Sequence, residues 1–336
     1  MSPAKNERLS AAVVGAGFVG AIHARALSDH PSVDLIAVCG RTSPKAEALG
    51  FAYGAVARGS VEELMHKDAP DLVCVCTGND QHLAPTLESL EGGAHVFVEK
   101  PMAFRLDQAR RMVETADRQG RRLGVNFNHR FSEPYRRALE FADGGRIGAI
   151  GFIDMKFAGD LYKELNDPYC MLIETQGHSF DLMRLFGGEI TTVSAHLADP
   201  RAIGVYTSAA VAVTFAGGGV GSLLGSWDGS YGNPGAQILE VAGLRGRVVV
   251  EDVVCSVRLF TNPDQLYSEW RPGIFDSGHR DFWRTIDRHL HAFVDSIIAG
   301  REPPVTGRDG LRALELSFAA IDSYERGRTV ETGTAV

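Results

Sequence analysis

Residues 1–125 alternate between short, almost continuous apolar runs and segments whose apolar residues recur at helical spacing. Short apolar runs bounded by turn residues predict strands that are buried on both faces, and the segments between them predict amphipathic helices. A regular alternation of this kind predicts an α/β fold, a doubly wound parallel sheet with helices on both faces. The predicted strands are 9–14, 33–39, 72–76, 95–99 and 123–126, and the predicted helices are 18–28, 45–49, 61–65, 83–91 and 106–119.

From about residue 147 the pattern changes to longer β-rich segments separated by glycine clusters. The glycines at 217–219, and again Gly243 and Gly246, stand where tight turns between antiparallel strands favour glycine. This half of the chain is therefore predicted to be an α+β domain with a large, mostly antiparallel open sheet. The predicted strands are 148–157, 191–198, 206–215, 220–227, 237–242 and 247–251, and the predicted helices are 174–186, 282–298 and 308–326.

The change of pattern also predicts how the chain divides into domains. A chain of 336 residues is longer than one simple hydrophobic core usually serves, so two domains are expected. We place the first domain at 1–125 and a substrate and oligomerisation domain at 126–307. The last helix, in the segment 308–336, carries an apolar stripe through Leu314 that a helix standing alone would expose, so we expect it to pack back on the first domain.

Composition and charge narrow the classes of function. The net charge of −8 argues against nucleic acid or an anionic membrane as a partner. No apolar run is long enough to span a bilayer, and the first residues lack the apolar core of a signal peptide, so a cytoplasmic protein is expected. The five cysteines and the histidines lack disulfide-framework or metal-ligand spacing, so we expect no metal. One face of the open sheet is expected to lack covering helices, which favours a homodimer or homotetramer that pairs through it.

A Gly-x-Gly-x-x-Gly motif begins at Gly15, directly after the first predicted strand and before the first predicted helix. Gly15 permits a tight turn, Gly17 lets the backbone approach a pyrophosphate, and Gly20 lets helix and strand pack closely. The helix N-terminus offers N–H donors and a partial positive charge to the phosphates. We therefore predict a Rossmann domain that binds a dinucleotide, with Phe18 and Val19 also against the cofactor.

The end of the second predicted strand bears on the choice between NAD and NADP. The position that usually carries an acidic residue for the ribose 2′-hydroxyl falls at Gly40, twenty residues after Gly20. Asp34 lies at the beginning of that strand, at the other end of the sheet. Arg41 can pair with a 2′-phosphate and Thr42 can donate a hydrogen bond to it, which favours NADP. If Arg41 instead stacks on the adenine, NAD stays usable.

Lys100 is the first candidate for catalysis. It follows the predicted strand 95–99 and precedes Pro101, so it emerges at the carboxyl end of the strand, where ligands bind in this fold. Hydride transfer from a carbinol needs a base for the hydroxyl proton and a donor that polarises the reacting oxygen. A solvated surface lysine is the alternative interpretation of Lys100.

The second candidate group lies on the helix predicted over 174–186. Glu174, His178 and Asp181 are spaced four and three residues apart, which on an α-helix places them along one face. A carboxylate one turn from a histidine can orient the ring and tune its pKa. The alternative interpretation is a salt-bridged structural helix.

These segments resemble the glucose–fructose oxidoreductase/inositol dehydrogenase/MocA (Gfo/Idh/MocA) family almost from end to end. Among Rossmann proteins, Glu-Lys-Pro at 99–101 followed by Gly-His-Ser-Phe-Asp at 177–181 is specific to this family. Further similar segments are Cys-Thr-Gly-Asn-Asp-Gln-His at 76–82, Asn-Phe-Asn-His-Arg-Phe at 126–131, and the apolar segment with its Glu-Pro-Pro at 293–305.

The resemblance implies an NAD(P)-dependent dehydrogenase or reductase that acts on CH–OH groups of a cyclic polyol. Lys100 would hydrogen-bond the reacting oxygen, His178 would be the acid/base, and Glu174 would orient His178 or contact a substrate hydroxyl. Many members carry Asp where this chain has Glu174, so the substrates of those members do not transfer directly. The implied cofactor contacts are Thr77, Asn79, His82, Glu99, Lys100 and Asn128, and the candidate substrate contacts are Arg130, Lys156, Tyr162 and Trp227.

Two other functions remain open at this point. The family resemblance also permits a glycosidase that uses a tightly bound dinucleotide for transient oxidation. It permits a non-catalytic dinucleotide-sensing regulator as well, although the presence of both Lys100 and His178 weighs against that.

Overall fold

The computed structural model describes residues 8–40, 43–159, 167–232 and 234–333. They belong to two structural units. Unit 1 comprises the described residues up to Phe127 together with Ile286–Leu311, and unit 2 comprises those of Asn128–Thr285 together with the described residues from Arg312 on. Arg41, Thr42 and Tyr162, three of the predicted ligand contacts, lie outside the described residues.

Unit 1 contains, within the described residues, a sheet of six parallel strands. Its order is β3-β2-β1-β4-β5-β6, so the chain fills one side of the sheet and then crosses over to the other. The crossover lies between β1 and β4, and the carboxyl ends of strands at such a point form a crevice for ligands. The elements are β1 (Leu9–Val14), α1 (Phe18–Asp29), β2 (Val33–Cys39), α2 (Ser43–Tyr53), β3 (Val56–Arg58), α3 (Val61–Lys67), β4 (Leu72–Val75), α4 (Leu83–Glu91), β5 (His95–Val98), α5 (Leu106–Gln119) and β6 (Leu123–Val125).

The predicted doubly wound parallel sheet is confirmed. The strands are short and apolar because both faces are covered, and all four residues of β4 are buried. The prediction missed β3, a strand of three residues whose side chains are not fully buried. A segment this short carries too little hydrophobic pattern to separate a strand from a loop.

Unit 2 is built on a sheet that has nine strands within the described residues. Its order is β14-β13-β12-β11-β7-β10-β9-β8-β15; the neighbours β7 and β10 run parallel, and the other described pairs are antiparallel. The predicted, mostly antiparallel sheet is therefore confirmed. The elements are α6 (Glu133–Asp143), β7 (Ile150–Ala158), α7 (Gly177–Gly187), β8 (Ile190–Ala198), β9 (Ser208–Phe215), β10 (Val220–Ser226), β11 (Gln237–Gly243), β12 (Gly246–Glu251), β13 (Ser256–Thr261), β14 (Tyr267–Trp270), α8 (Ser277–Arg280) and β15 (Val330–Glu331).

The two faces of this sheet differ in burial. On one face Met155 of β7 and Leu223 of β10 are paired in register and fully buried. On the opposite face Phe152, Val220 and Leu224 remain exposed. Successive side chains of a strand point to opposite faces, so this alternation follows from the sequence pattern of each strand.

The last two helices divide between the units differently from the prediction. Most of α9 (Arg284–Ile298) belongs to unit 1, where Leu290 and Phe293 are fully buried in the core that contains Phe97. From Arg312 on, α10 (Gly307–Arg326) belongs to unit 2. Arg312 donates hydrogen bonds to the Ile190 carbonyl and to Glu189 there. The helix α9, which we placed in the second domain, thus completes the core of unit 1. The first residues of the final helix, 307–311, also belong to unit 1, and the rest of that helix belongs to unit 2.

Within the part of the chain that the structure describes, no helix combines the length and apolar character that crossing a membrane requires.

Candidate active site

The segment of residues 15–20, here called the glycine elbow, contains the turn after β1 and the first residues of α1 in unit 1. Gly15 has φ +112°, and a Cβ there would lie 2.4 Å from the Cys76 carbonyl oxygen. A Cβ on Gly20 would lie 1.8 Å from the Gly15 carbonyl oxygen. A Cβ on Gly17 would meet no described atom within 4 Å. Two glycines therefore serve the packing of the elbow, and the third leaves its backbone open to a ligand.

The elbow fits a dinucleotide pyrophosphate. Gly17 is the N-cap of α1 and, as a glycine, has no side chain with which to cap the helix. The N-terminus of a helix attracts an anion, because its N–H groups point toward the ligand and the helix dipole favours negative charge. Phe18 is largely exposed beside them.

The end of β2 carries no carboxylate among the described residues. The strand ends at Cys39, and Gly40 donates its N–H to the Arg58 carbonyl oxygen at 3.0 Å. Asp34 lies at the opposite end of the strand, where its carboxylate pairs with Arg8 at 3.1 Å. The acidic partner of a ribose 2′-hydroxyl is thus missing from the described part of this strand.

His82 braces two loops at the carboxyl ends of the strands. Its Nδ1 lies 2.8 Å from the Pro101 carbonyl oxygen and its Nε2 lies 3.2 Å from the Thr77 carbonyl oxygen. Burial lowers the pKa of His82, although the hydrogen bonds to both carbonyls oppose this. We predicted Thr77, Asn79 and His82 as cofactor contacts. His82 is fully buried between the loops, and Asn79 is half-buried.

Glu99 is held by a buried hydrogen-bond network in unit 1. Its Oε1 accepts hydrogen bonds from His23 Nε2 at 2.7 Å and Asn126 Nδ2 at 2.6 Å. Asn126 Oδ1 in turn lies 3.0 Å from His289 Nδ1. Burial alone would raise the pKa of Glu99, but the hydrogen bonds from His23 and Asn126 and the charges of His23 and Lys100 lower it. The carboxylate is therefore ionised beside Lys100.

Lys100 begins the loop after β5. Its backbone N–H donates to Glu99 Oε2 at 3.3 Å, and the peptide bond to Pro101 is cis. The side chain is half-buried. The backbone at Lys100 is held by the Glu99 carboxylate, which accepts from the Lys100 N–H. It is also held by His82, which contacts the carbonyl oxygens of Pro101 and Thr77.

A π-helical turn, Met171–Thr175, precedes α7 in unit 2. Glu174 lies in this turn and is 2% exposed, whereas His178 and Asp181 lie on α7. The prediction that all three share one α-helical face is therefore wrong for Glu174, because the helix begins at Gly177. A π turn is wider than an α turn, so the four-residue spacing from Glu174 to His178 does not mark one α-helical turn.

Three side-chain contacts hold the π turn in place. Trp227 Nε1 donates to Thr175 Oγ1 at 2.8 Å, and Gln176 Nε2 donates to the Phe157 carbonyl oxygen at 3.2 Å. Ser179 Oγ donates to Gln176 Oε1 at 2.7 Å. Trp227 is 2% exposed, so its ring packs in this core and offers little surface for the substrate contact that we predicted.

The ring of His178 is stacked on the ring of His129. Their centroids lie 3.8 Å apart, the planes differ by 2°, and both residues are buried. His129 belongs to a 3₁₀ turn, Asn128–Phe131, and Gln237 Nε2 lies 3.1 Å from its Nδ1. The sequence prediction named the neighbours of His129 and missed this residue. The sequence did contain a signal for His129, because this residue stands in the middle of the segment 126–131, which resembles the family.

Arg130 and Asn128, both predicted ligand contacts, have partners inside unit 2. Arg130 Nε donates to Asp181 Oδ2 at 2.7 Å, and its terminal nitrogen reaches the other carboxylate oxygen. Asn128 Nδ2 donates to Thr285 Oγ1 at 2.6 Å. These contacts tie the 3₁₀ turn to α7 and to the start of α9.

Lys156 lies on the wrong face of β7 for the predicted substrate contact. Phe157 is on the face that carries His129, since the two ring centroids are 5.7 Å apart. Lys156, its neighbour along the strand, points to the opposite face, level with the exposed Leu224. Tyr162 lies outside the described residues.

In the described stretches of the chain, no group of three or more His, Cys, Asp or Glu side chains is arranged to hold a metal ion.

Two protein-family models match the chain. Residues 9–127 match the model described as an oxidoreductase family with an NAD-binding Rossmann fold. Residues 135–249 match the model described as the GFO/IDH/MocA C-terminal domain. The two matches fall on unit 1 and unit 2, respectively.

Individual proteins are similar over all or part of the chain. The inositol 2-dehydrogenase of Rhizobium meliloti (strain 1021) is 28% identical over 334 residues, which cover 95% of this chain and 97% of that protein. The D-glucoside 3-dehydrogenase of Escherichia coli (strain K12) is 36% identical over 144 residues, which cover 42% of this chain and 41% of that protein. The crystal structure of an NAD-binding oxidoreductase from Klebsiella pneumoniae shares the fold with a TM-score of 0.86 and 21% identity, over 97% of this chain and 100% of that one.

Proposed function

Because the chain belongs to the glucose–fructose oxidoreductase/inositol dehydrogenase/MocA family of NAD-binding oxidoreductases, we propose that it transfers a hydride between a nicotinamide dinucleotide and a secondary carbinol or carbonyl of a cyclic polyol. The substrate is a sugar, a sugar derivative or an inositol. The names of two relatives, an inositol 2-dehydrogenase and a D-glucoside 3-dehydrogenase, support this class.

The main support for the proposal is that the glycine elbow and Lys100 lie at the same edge of one sheet. β1, β4 and β5 are parallel neighbours, so the elbow after β1 and Lys100 after β5 both follow carboxyl ends. Two strand spacings, about 10 Å, separate the two positions. A dinucleotide whose pyrophosphate lies on the elbow can extend along this edge toward Lys100.

Three side chains have roles in the proposed reaction. Lys100 donates a hydrogen bond to the reacting oxygen and stabilises the negative charge that develops on it. His178 accepts the hydroxyl proton during oxidation and returns it during reduction. Glu174 orients His178 or contacts a second hydroxyl of the substrate. The nicotinamide, when bound, takes up the hydride, so the carbinol loses one C–H and one O–H bond and gains a C=O double bond.

We further propose that Arg41 and Thr42 give the enzyme a preference for NADP over NAD. The support is the missing carboxylate at the described end of β2 and the pairing of Asp34 with Arg8 at the other end. A 2′-phosphate then meets no acidic group of this strand that would repel it. A guanidinium such as that of Arg41 forms charge-assisted hydrogen bonds with phosphate oxygens.

The exposed face of the sheet in unit 2 is proposed to pair with a second copy of the chain, in a homodimer or homotetramer. Phe152, Val220 and Leu224 expose large apolar side chains together on this face. Apolar surface of this kind is stabilised by burial in an interface. Light scattering on Leu224→Glu should then show a smaller oligomer than the parent protein.

The test of the function is a screen of sugars, sugar derivatives and inositols with NAD, NADP and their reduced forms. We expect the absorbance of reduced nicotinamide to change in proportion to product with at least one cyclic polyol. Cleavage of a glycosidic bond without net change in that absorbance would instead identify a glycosidase that oxidises transiently. Tight dinucleotide binding with no turnover of any compound would identify a regulator.

A further inference from the structure

We infer that His129 is a positioning residue for proton transfer: its ring fixes the plane of the His178 imidazole. This rests on the proposed function, because it assigns His178 the acid/base role. The two rings lie face to face with centroids 3.8 Å apart and planes within 2° of each other. At this separation the rings are in van der Waals contact, so His178 cannot turn about its Cβ–Cγ bond without displacing His129.

His178 needs such a constraint because its helix does not supply one. The backbone of α7 places the Cβ of His178, but rotation of a histidine ring about χ2 is broad and roughly two-fold. A general acid/base transfers its proton only when the ring nitrogen lies within hydrogen-bond reach of the substrate oxygen. A stacked neighbour narrows this rotation to one plane.

His129 can act as the constraint because it is itself held on several sides. Gln237 Nε2 lies 3.1 Å from its Nδ1, and Gln237 is the first residue of β11. The backbone of Gln237 is fixed by Asp252, whose carboxylate accepts from the Gln237 N–H at 3.1 Å and whose N–H donates to the Gln237 carbonyl at 2.7 Å. The rings of Phe157 and Phe282 meet His129 edge-on, with centroids 5.7 and 5.5 Å away.

The contact with Gln237 also matches a neutral His129 ring. With the Gln237 amide N–H as donor, Nδ1 accepts and the proton of the neutral ring lies on Nε2. A neutral ring can face His178 both before and after His178 takes up a proton. Two imidazolium rings at 3.8 Å would repel each other.

The first test compares two substitutions of His129. We expect His129→Ala to lower kcat by about 10- to 100-fold, because small misplacements of a catalytic group have effects of this size. The KM for the polyol and the Kd of the dinucleotide should stay within about 3-fold. His129→Phe keeps a flat ring against His178 and should restore kcat to within about 5-fold of the parent protein.

The second test asks whether His129 acts through His178. In the His178→Ala background, adding His129→Ala should leave the residual rate unchanged, because residues that act as a unit are not additive. Leu259→Val, which shortens a buried side chain on β13 of the same unit, serves as the control for lost packing. It should lower the Tm and leave kcat as in the parent protein.

Three results would overturn the inference: parental kcat in His129→Ala, equal losses in His129→Phe and His129→Ala, or a full additional loss in the His178→Ala background. Failure of the proposed function is a different result, in which the parent protein turns over no polyol. The positioning is then still measurable by NMR of histidine-labelled protein. The ring-proton signal of His178 should shift strongly in His129→Ala and little in His129→Phe; equal small shifts in both would contradict the inference.

Discussion

The glycine elbow of unit 1 and the His129–His178 stack of unit 2 hold functional groups by opposite means. The elbow is a backbone device: Gly15 and Gly20 bring main-chain atoms to distances at which a Cβ would not fit. The stack is a side-chain device, in which one ring is fixed by its parallel contact with another. In the function that we propose, cofactor binding therefore depends on the absence of side chains at the elbow, and proton transfer depends on the side chains of the stack.

Lys100 belongs to unit 1 but shares the character of the second device. Its path is set by buried side chains, since Glu99 is held by His23 and Asn126, and the Pro101 carbonyl by His82. Support by the backbone and support by side chains therefore both occur in unit 1. Which of the two is used depends on the chemistry proposed for the group that is held.

The largest expected effect is that of Lys100→Ala, which removes the donor that we propose for the reacting oxygen and leaves the glycine elbow intact. We expect kcat to fall by about 10³-fold, the middle of the range for positioned acid–base groups, while dinucleotide affinity stays within a few-fold. Steady-state kinetics and a fluorescence titration with reduced dinucleotide measure the two quantities. Lys67→Ala, on the exposed side of α3, is the matched control and should change neither. Turnover of Lys100→Ala within a few-fold of the parent would contradict the role of Lys100.

The next effect separates two glycines within the elbow. Gly20→Ala should destabilise unit 1 by about 3 kcal/mol, because its Cβ would overlap the Gly15 carbonyl oxygen. Gly17→Ala should leave the Tm unchanged and weaken dinucleotide binding by about tenfold, roughly 1.4 kcal/mol. Thermal unfolding and titration measure these, with Gly273→Ala, where a Cβ meets no described atom within 4 Å, as the control. If both elbow variants lost stability equally, the open space at Gly17 would have no bearing on the ligand.

A loss of dinucleotide affinity of similar size to that in Gly17→Ala is expected when the choice between NADP and NAD is tested. Arg41→Ala should weaken NADPH by about 10- to 100-fold and NADH by much less, because a charge-assisted hydrogen bond to the 2′-phosphate contributes about 1.5–3 kcal/mol. The ratio of the two Kd values measures the preference. Equal losses for both dinucleotides would instead favour stacking of Arg41 on the adenine.

The smallest effect tests the outer support of the stack. Gln237→Leu removes the hydrogen bond to His129 but keeps the shape of the side chain. Loss of this hydrogen bond should cost about 1 kcal/mol, so the His129 ring is held less firmly and kcat should fall by about 5-fold. Glu240→Gln, on the same strand and paired with Arg247 at the surface, is the control. A loss in Gln237→Leu as large as that in His129→Ala would mean that the hydrogen bond, and not the ring contact, holds His178.

The backbone device was predictable from the sequence. β1, β2, α4 and α5 have the bounds that the pattern predicts, because continuous apolar strands and amphipathic helices are local features. The elbow follows from glycine spacing, and Lys100 follows from its place after an apolar strand. In unit 2 the turns at 217–219 and at Gly243 with Gly246 were likewise predicted and join antiparallel strands.

The side-chain device was not predictable to the same degree, because it depends on contacts between residues far apart in the chain. The π turn at Glu174 is stabilised by Trp227, 52 residues after its partner Thr175. His129 meets a partner on β11, 108 residues away. The side chains of Trp227 and Lys156 are of types that can bind a sugar. The burial of Trp227 and the face of β7 that carries Lys156 depend on how the sheet is assembled.

The central claim is that this chain moves a hydride between a cyclic polyol and a nicotinamide. The most direct measurement uses a polyol accepted in the screen and deuterated at the reacting ring carbon, with NAD or NADP in excess, followed by mass spectrometry of the reduced dinucleotide. We predict one deuterium in the reduced nicotinamide for each carbonyl formed. Product that forms while the dinucleotide pool stays oxidised and free of deuterium would contradict the claim.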